Sequence, residues 1–150
     1  MAVASQTKVV PLISSGTAGP LGAVHLPRLW SKLTLAAAGL LPEGYDECGQ
    51  GFDQLTITDL GLNKDEVITY VRTRKPTYVE FEEFVRTKGK TDADTIKKHN
   101  AAVLGYNHAD DKAEHMRNDV GFKQAQVKDA VTLNMLEDLN ELHQNVTKGS

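Results

Sequence analysis

Apolar residues recur at helical spacing through most of this chain, and the breaks between those runs carry helix caps and stops instead of strand turns. From Pro27 onward, Leu29, Trp30, Leu33, Ala36, Ala37, Leu40 and Leu41 fall on one helical face, and a proline suits a first turn whose N–H groups lack partners anyway. Leu41-Pro42-Glu43-Gly44 is the expected stop. Asn63 with Glu66 then predicts a capped helix carrying Val67, Ile68 and Val71, ended by Pro76. Thr77 with Glu80 spells a capping box ahead of an aromatic stripe of Tyr78, Phe81 and Phe84, with Gly89 as its stop. A cap at Thr91 opens a fourth helix carrying Ile96, Val103 and Leu104, closed by Gly105. Two more are expected at 109–120 and 126–146, the last with Val127, Val131, Met135, Leu139, Leu142 and Val146 in register.

Six helices on short connections predict an all-α fold, a single compact helical domain over 23–150. Residues 1–22, rich in Ser, Thr, Gly, Ala and Pro without a sustained period, read as a flexible N-terminal arm. The segment 52–60 fits either a brief strand or a short helix, because Leu55, Ile57 and Leu60 are too few to fix a period.

Composition narrows the function classes. A chain of 150 residues with 40% hydrophobic and 25% charged residues has the make-up of one ordinary globular domain. Its net charge of −3 offers no general attraction to nucleic acid or to an anionic membrane, and no apolar run approaches the roughly 20 residues that span a bilayer. Arg72, Arg74 and Lys75 do form a basic cluster, but Asp59, Asp65 and Glu66 lie on the same stretch and would oppose a phosphate backbone. Cys48 stands alone, which excludes an intrachain disulfide and suits a reducing, cytoplasmic setting.

The strings HLPRLW, LPEGYD, GFDQ and KPTYVEFE, together with the later IKKHNAAVLGYNH, resemble a family of small proteins, the domain of unknown function five-zero-six-nine. The resemblance spans 19–108. It implies a self-contained single domain and brings no known activity or catalytic residues, so the candidate chemistry rests on the residues themselves.

Two clusters draw attention. His25, Arg28 and Lys32, spaced by three and four, would form a cationic ridge on a helix; either a solvated face or an anion grip follows, with Arg28 as the fork and Trp30 or Tyr45 beside it. The loop 45–54 gathers Tyr45, Asp46, Glu47, Cys48, Asp53 and Gln54 between apolar segments. A partly desolvated Asp46 or Asp53 would serve as general acid or base with His25 as its partner, while the alternative is a turn that uses Gly and Asp for backbone reasons. Cys48 lacks a recognisable base and reads as inert. His108, Asp111 and His115 could share a helix face suited to a divalent metal, or simply be solvated. Asn100 sits on the apolar side of its helix, where it pins structure or meets a ligand, and Tyr78 is either core or a positioning group.

Nucleotide, phosphate and zinc fingerprints are absent from the sequence. The expected function is a small-molecule enzyme without an organic cofactor or metal, an isomerase, cyclase or lyase acting on a largely apolar metabolite with an anionic or carbonyl handle. In that reading His25, Asp46 and Asp53 move protons, and Arg28, Trp30, Tyr45, Gln54, Tyr78 and Asn100 hold the substrate. The alternative is a non-catalytic interaction module, a homodimer included, built on the C-terminal helices.

Overall fold

The computed structural model describes residues 7–148, and among these the chain is all-helical. Seven helices follow one another: α1 Leu26–Ala37, α2 Phe52–Asp59, α3 Lys64–Arg74, α4 Tyr78–Lys88, α5 Ala93–Leu104, α6 Asp110–Val120 and α7 Ala130–Thr147. The seventh helix relative to the sequence reading is α2. Its buried face is formed by Asp53, Thr56, Ile57 and Leu60, so half of the positions that define the helical period are polar and the apolar residues left over look like an alternation. Thr56 helps close the helix by donating its hydroxyl to the Phe52 carbonyl at 2.7 Å.

The caps explain where the other helices begin and end. Thr77 and Glu80 make the reciprocal capping box, each side chain accepting the other's backbone N–H. Asn63 accepts from Glu66 N–H at 2.9 Å. Three boundaries differ from the sequence reading. α1 stops at Ala37 because Gly39 turns left-handed (φ 72°) and Leu40 N–H returns to the Leu35 carbonyl, a Schellman closure four residues before Gly44. α5 is capped by Asp92 instead of Thr91, its carboxylate accepting from Thr95 N–H. α7 starts at Ala130 because Asp129 caps it through Thr132 N–H, leaving 126–129 outside the helix, with Asp129 bridged to Asn107.

The main core lies among α1 to α4, where Leu26, Leu29, Leu33, Ile57, Val67, Val71, Phe81 and Val85 are buried together. Each such side chain contributes about 1.5–3 kcal/mol on burial. A smaller core of Ala113, Met116 and Leu133 joins α6 to α7, with Val127 and Leu136 packed against it. α5 contacts both α2 and α7 and so links the two.

The lead-in expected as a flexible arm is, over its described part, laid on the helices. Val10 and Ser15 are buried, Ala18 pairs with Val24 as an isolated bridge, and His25 N–H bonds the Thr17 carbonyl. Residues 1–6 of that arm lie outside the described residues. No helix among the described residues is long and apolar enough to cross a membrane.

Candidate functional site

The cationic ridge of α1 exists in register, but it is neither a solvated face nor an open anion grip. His25, Arg28 and Lys32 are all buried, and each is matched by a carboxylate. Asp53, carried inward by α2, accepts from His25 Nε2–H at 2.6 Å, from Lys32 Nζ at 2.5 Å and from Gly49 N–H at 2.8 Å. Burial alone would raise the Asp53 pKa, but the hydrogen bond from His25 and the Lys32 charge bring it down to about 2. Burial also lowers the pKa of His25, against the pull of Asp53, so the ring is neutral near pH 7. An ionised Asp53 can only accept, which places the His25 proton on Nε2 and leaves Nδ1 to accept from the Ser15 hydroxyl at 3.0 Å. His25 holds this position in a left-handed backbone conformation (φ 70°), which costs a non-glycine residue about 1–3 kcal/mol and persists because three contacts fix its ring.

The His25 and Asp53 pair named from sequence is therefore brought together, whereas Asp46 is not. Asp46 is exposed and makes no hydrogen bond to either partner. The sequence reading missed Ser15, and it gave Lys32 no carboxylate partner.

Arg28 is committed elsewhere. Its guanidinium forms a two-pronged pair with Asp138 of α7 at 2.7 and 3.1 Å and also reaches the Pro11 and Ile13 carbonyls, both at 2.9 Å. Tyr45 donates its hydroxyl to the same Asp138 at 2.8 Å, and burial together with that carboxylate raises its pKa. This clasp ties the lead-in, α1, the 45–54 loop and α7 together, and it engages both terminal nitrogens of the fork within the chain.

The remaining expected substrate contacts disperse. Trp30 donates to the Pro76 carbonyl at 3.1 Å and meets Tyr78 edge-on, while Tyr78 donates to Glu82. Both pack against the main core. Gln54 bonds Thr58 on the exposed side of α2. Asn100 bridges the Gly22 carbonyl and Val24 N–H, pinning the lead-in to α5. Cys48 is buried, and burial beside Asp53 pushes its thiol up to about 11, far from a reactive thiolate. His108, Asp111 and His115 do not converge: His115 is exposed and pairs with Asp119 at 3.3 Å, Asp111 faces solvent, and no group of three metal-ligating side chains occurs among the described residues.

The open space lies beyond this buried network. One chamber, about 550 Å³, is walled by Tyr45, Asp46, Asp119, Glu137, Asp138 and Glu141, and mutual repulsion on top of burial raises the pKa of Glu137. A second, about 530 Å³, is walled by Phe52, Leu55, Ala102, Tyr106, His108 and Ala130. Lys112 and Asn134 line both, so the two chambers adjoin. The aromatic wall is a relay of edge contacts: Phe52 sits edge-on to His25 at 5.6 Å and to Tyr106 at 5.8 Å, and Tyr106 to His108 at 5.7 Å.

His108 is 9% exposed, its Nε2 lies 3.3 Å from Asn134 Oδ1, and burial lowers its pKa. Its Nδ1 is shut off from solvent with no hydrogen-bond partner among the described residues. Sequence reading placed the site at 25–54. Of that stretch Gln50, Gly51 and Phe52 line the second chamber, beside Leu55, Tyr106, His108 and Ala130 from outside it; the sequence signal for Tyr106 and His108 is a pair of aromatic rings in the short loop after Gly105. Comparison of the chain with protein-family models and with curated proteins finds no match.

Proposed function

We propose that this chain is a small-molecule enzyme that needs no organic cofactor and acts by acid–base chemistry on a largely apolar metabolite with an anionic or carbonyl handle. Its site is the aromatic chamber between α2, the loop after α5 and α7. The observation that carries the reading is a 530 Å³ cavity with apolar walls into which a few polar groups converge, the usual build of a small-ligand site. His108 is the imidazole of this wall and the group assigned to proton transfer, through the Nε2 edge it shares with Asn134. Tyr106 and Phe52 shape the apolar body, and Lys112 and Asn134 meet the handle.

In this reading the Ser15, His25 and Asp53 network does not touch substrate. It fixes Phe52 from behind and sets the angle of the wall, as positioning groups do. Isomerisation, cyclisation and elimination fit, because a shaped apolar pocket with one proton-transfer group suffices for each. The test is to incubate a metabolite extract with the protein and with His108→Gln, and to follow consumed and formed species by mass spectrometry. A species converted by the native protein and spared by the variant is expected. Identical profiles with native protein and with no protein would sink the enzyme reading.

A second reading has its own observation. Met135, Leu139 and Val146 are 38%, 47% and 68% exposed along one face of α7, a stripe that a partner helix or a second copy would cover.

A further inference from the structure

α7 carries two apolar faces, and the fold uses one of them. Leu133 and Leu136 pack into the smaller core with Ala113 and Met116 of α6. Met135, Leu139, Leu142 and Val146 lie on a different face, and that face is open: Met135, Leu139 and Val146 are exposed and Leu142 is half-buried. Residues 143–148 are exposed throughout, so the end of α7 stands clear of its neighbours. The lead-in borders the open face without covering it. Pro11 and Ile13 share the Arg28 guanidinium with Asp138, and Leu12 between them is exposed. A helix apolar on a second side is one that meets a second surface.

Spacing and charge select that surface. The positions 135, 139, 142 and 146 step by four, three and four, the alternation of a coiled-coil seam. The series reads the same in both directions. Two copies of α7 related by a two-fold axis across the helix therefore set Met135 against Val146 of the second copy and Leu139 against Leu142 of the second copy, with no seam residue left over. The rim positions beside this seam are Leu136, Asp138, His143 and Asn145. Asp138 is buried against Arg28, so no exposed Asp, Glu, Lys or Arg stands on the rim, and the face meets itself without opposing like charges. The acids Glu137 and Glu141 wall the polar chamber instead. A partner with a charged rim finds no complement here. Taking up the second reading above, we infer that the open face of α7 is a homotypic interface, an antiparallel helix pair between two copies of this chain, centred between Leu139 and Leu142.

The experiment is sedimentation equilibrium of the full chain from about 5 to 500 µM. The seam is short, so the expected dissociation constant is about 10–100 µM, with the mass approaching twice 16.4 kDa at the top of the range. Leu139→Glu and Val146→Glu, both at exposed positions, put an acid into the seam and should each weaken dimerisation at least about tenfold, with helix content and the urea midpoint of the dilute monomer unchanged. Under mild oxidation, Met135→Cys chains mixed with Val146→Cys chains should form the mixed disulfide in preference to either homotypic one, the native Cys48 being buried. A chain that stays monomeric at the highest concentration overturns the inference and leaves the stripe to a different partner helix. A dimer indifferent to both glutamates overturns the inference and that reading together. Homotypic disulfides formed in preference to the mixed one overturn the antiparallel pairing.

Discussion

Replacing Asp53 with Asn tests the buried network on which the chamber wall rests. Asp53 is 3% exposed and, among the described residues, is the sole anion paired with Lys32 and His25. The fall of its pKa from 3.8 to about 2 corresponds to about 2 kcal/mol of stability at neutral pH. Asn removes more than that, since it leaves the Lys32 ammonium buried without its counter-ion and presents an amide N–H to a donor; breaking a buried pair in this way costs about 3–5 kcal/mol. Because the Asp53 pKa is depressed on folding, its contribution is complete above about pH 4 and disappears as pH falls through about 2. Urea unfolding followed by the fluorescence of Trp30, the only tryptophan, should therefore show the variant about 3–5 kcal/mol less stable at pH 7 and the gap narrowing below pH 4. Adding Lys32→Met to Asp53→Asn should restore part of the loss, as the orphaned charge goes with it. A loss under about 1 kcal/mol at pH 7, or strictly additive effects of the two substitutions, would refute the argument.

Three further outcomes follow from the same geometry. His25 is held below its ordinary pKa of 6.5 by burial, so its neutral form stabilises the fold fully above pH 6.5 and this contribution declines as pH falls below that value; His25→Gln should flatten the stability profile below pH 6.5, read by the same urea titrations. Arg28→Lys keeps the charge facing Asp138 but loses the fork and the strap carbonyls, and should cost about 1.5–3 kcal/mol, while Tyr45→Phe removes one hydrogen bond to the same carboxylate and should cost about 1 kcal/mol. Cys48, raised from 9.0 to about 11, carries about a hundredfold less thiolate than an unperturbed thiol, so iodoacetamide at pH 8 should modify the folded chain at least about a hundredfold more slowly than the urea-unfolded chain.

Much of the fold can be read locally, and the residues show why the rest cannot. The capping box of Thr77 and Glu80 needs only four adjacent positions, so α4 and its neighbour α3 follow from the sequence with little error. The α2 helix does not, because the groups it buries include Thr56 and Asp53, and the partners of Asp53, His25 and Lys32, stand more than 20 residues away. The same distance effect hides Asp138. Lying between Leu136 and Leu139 it looks like an ordinary solvated helical acid, and its burial becomes intelligible only once Arg28, 110 positions earlier, is brought against it. His25 with Asp53 is legible as a chemical pair because a histidine and a carboxylate have complementary proton chemistry, but its role is not, since burial cannot be read from residue type. The chamber itself is assembled from α2, α5 and the loop after it, α6 and α7, stretches with no shared motif.

Backbone amide shift mapping with a fragment library is the most direct test of the claim that the aromatic chamber is the functional site. The account predicts that fragments which bind cluster their effects on Leu55, Ala102, Tyr106, His108 and Ala130, and that Phe52→Ala removes those effects while the far-face residues of α3 and α4 keep native shifts. Effects confined to the Met135, Leu139 and Val146 face of α7, with the chamber residues unmoved, would contradict it.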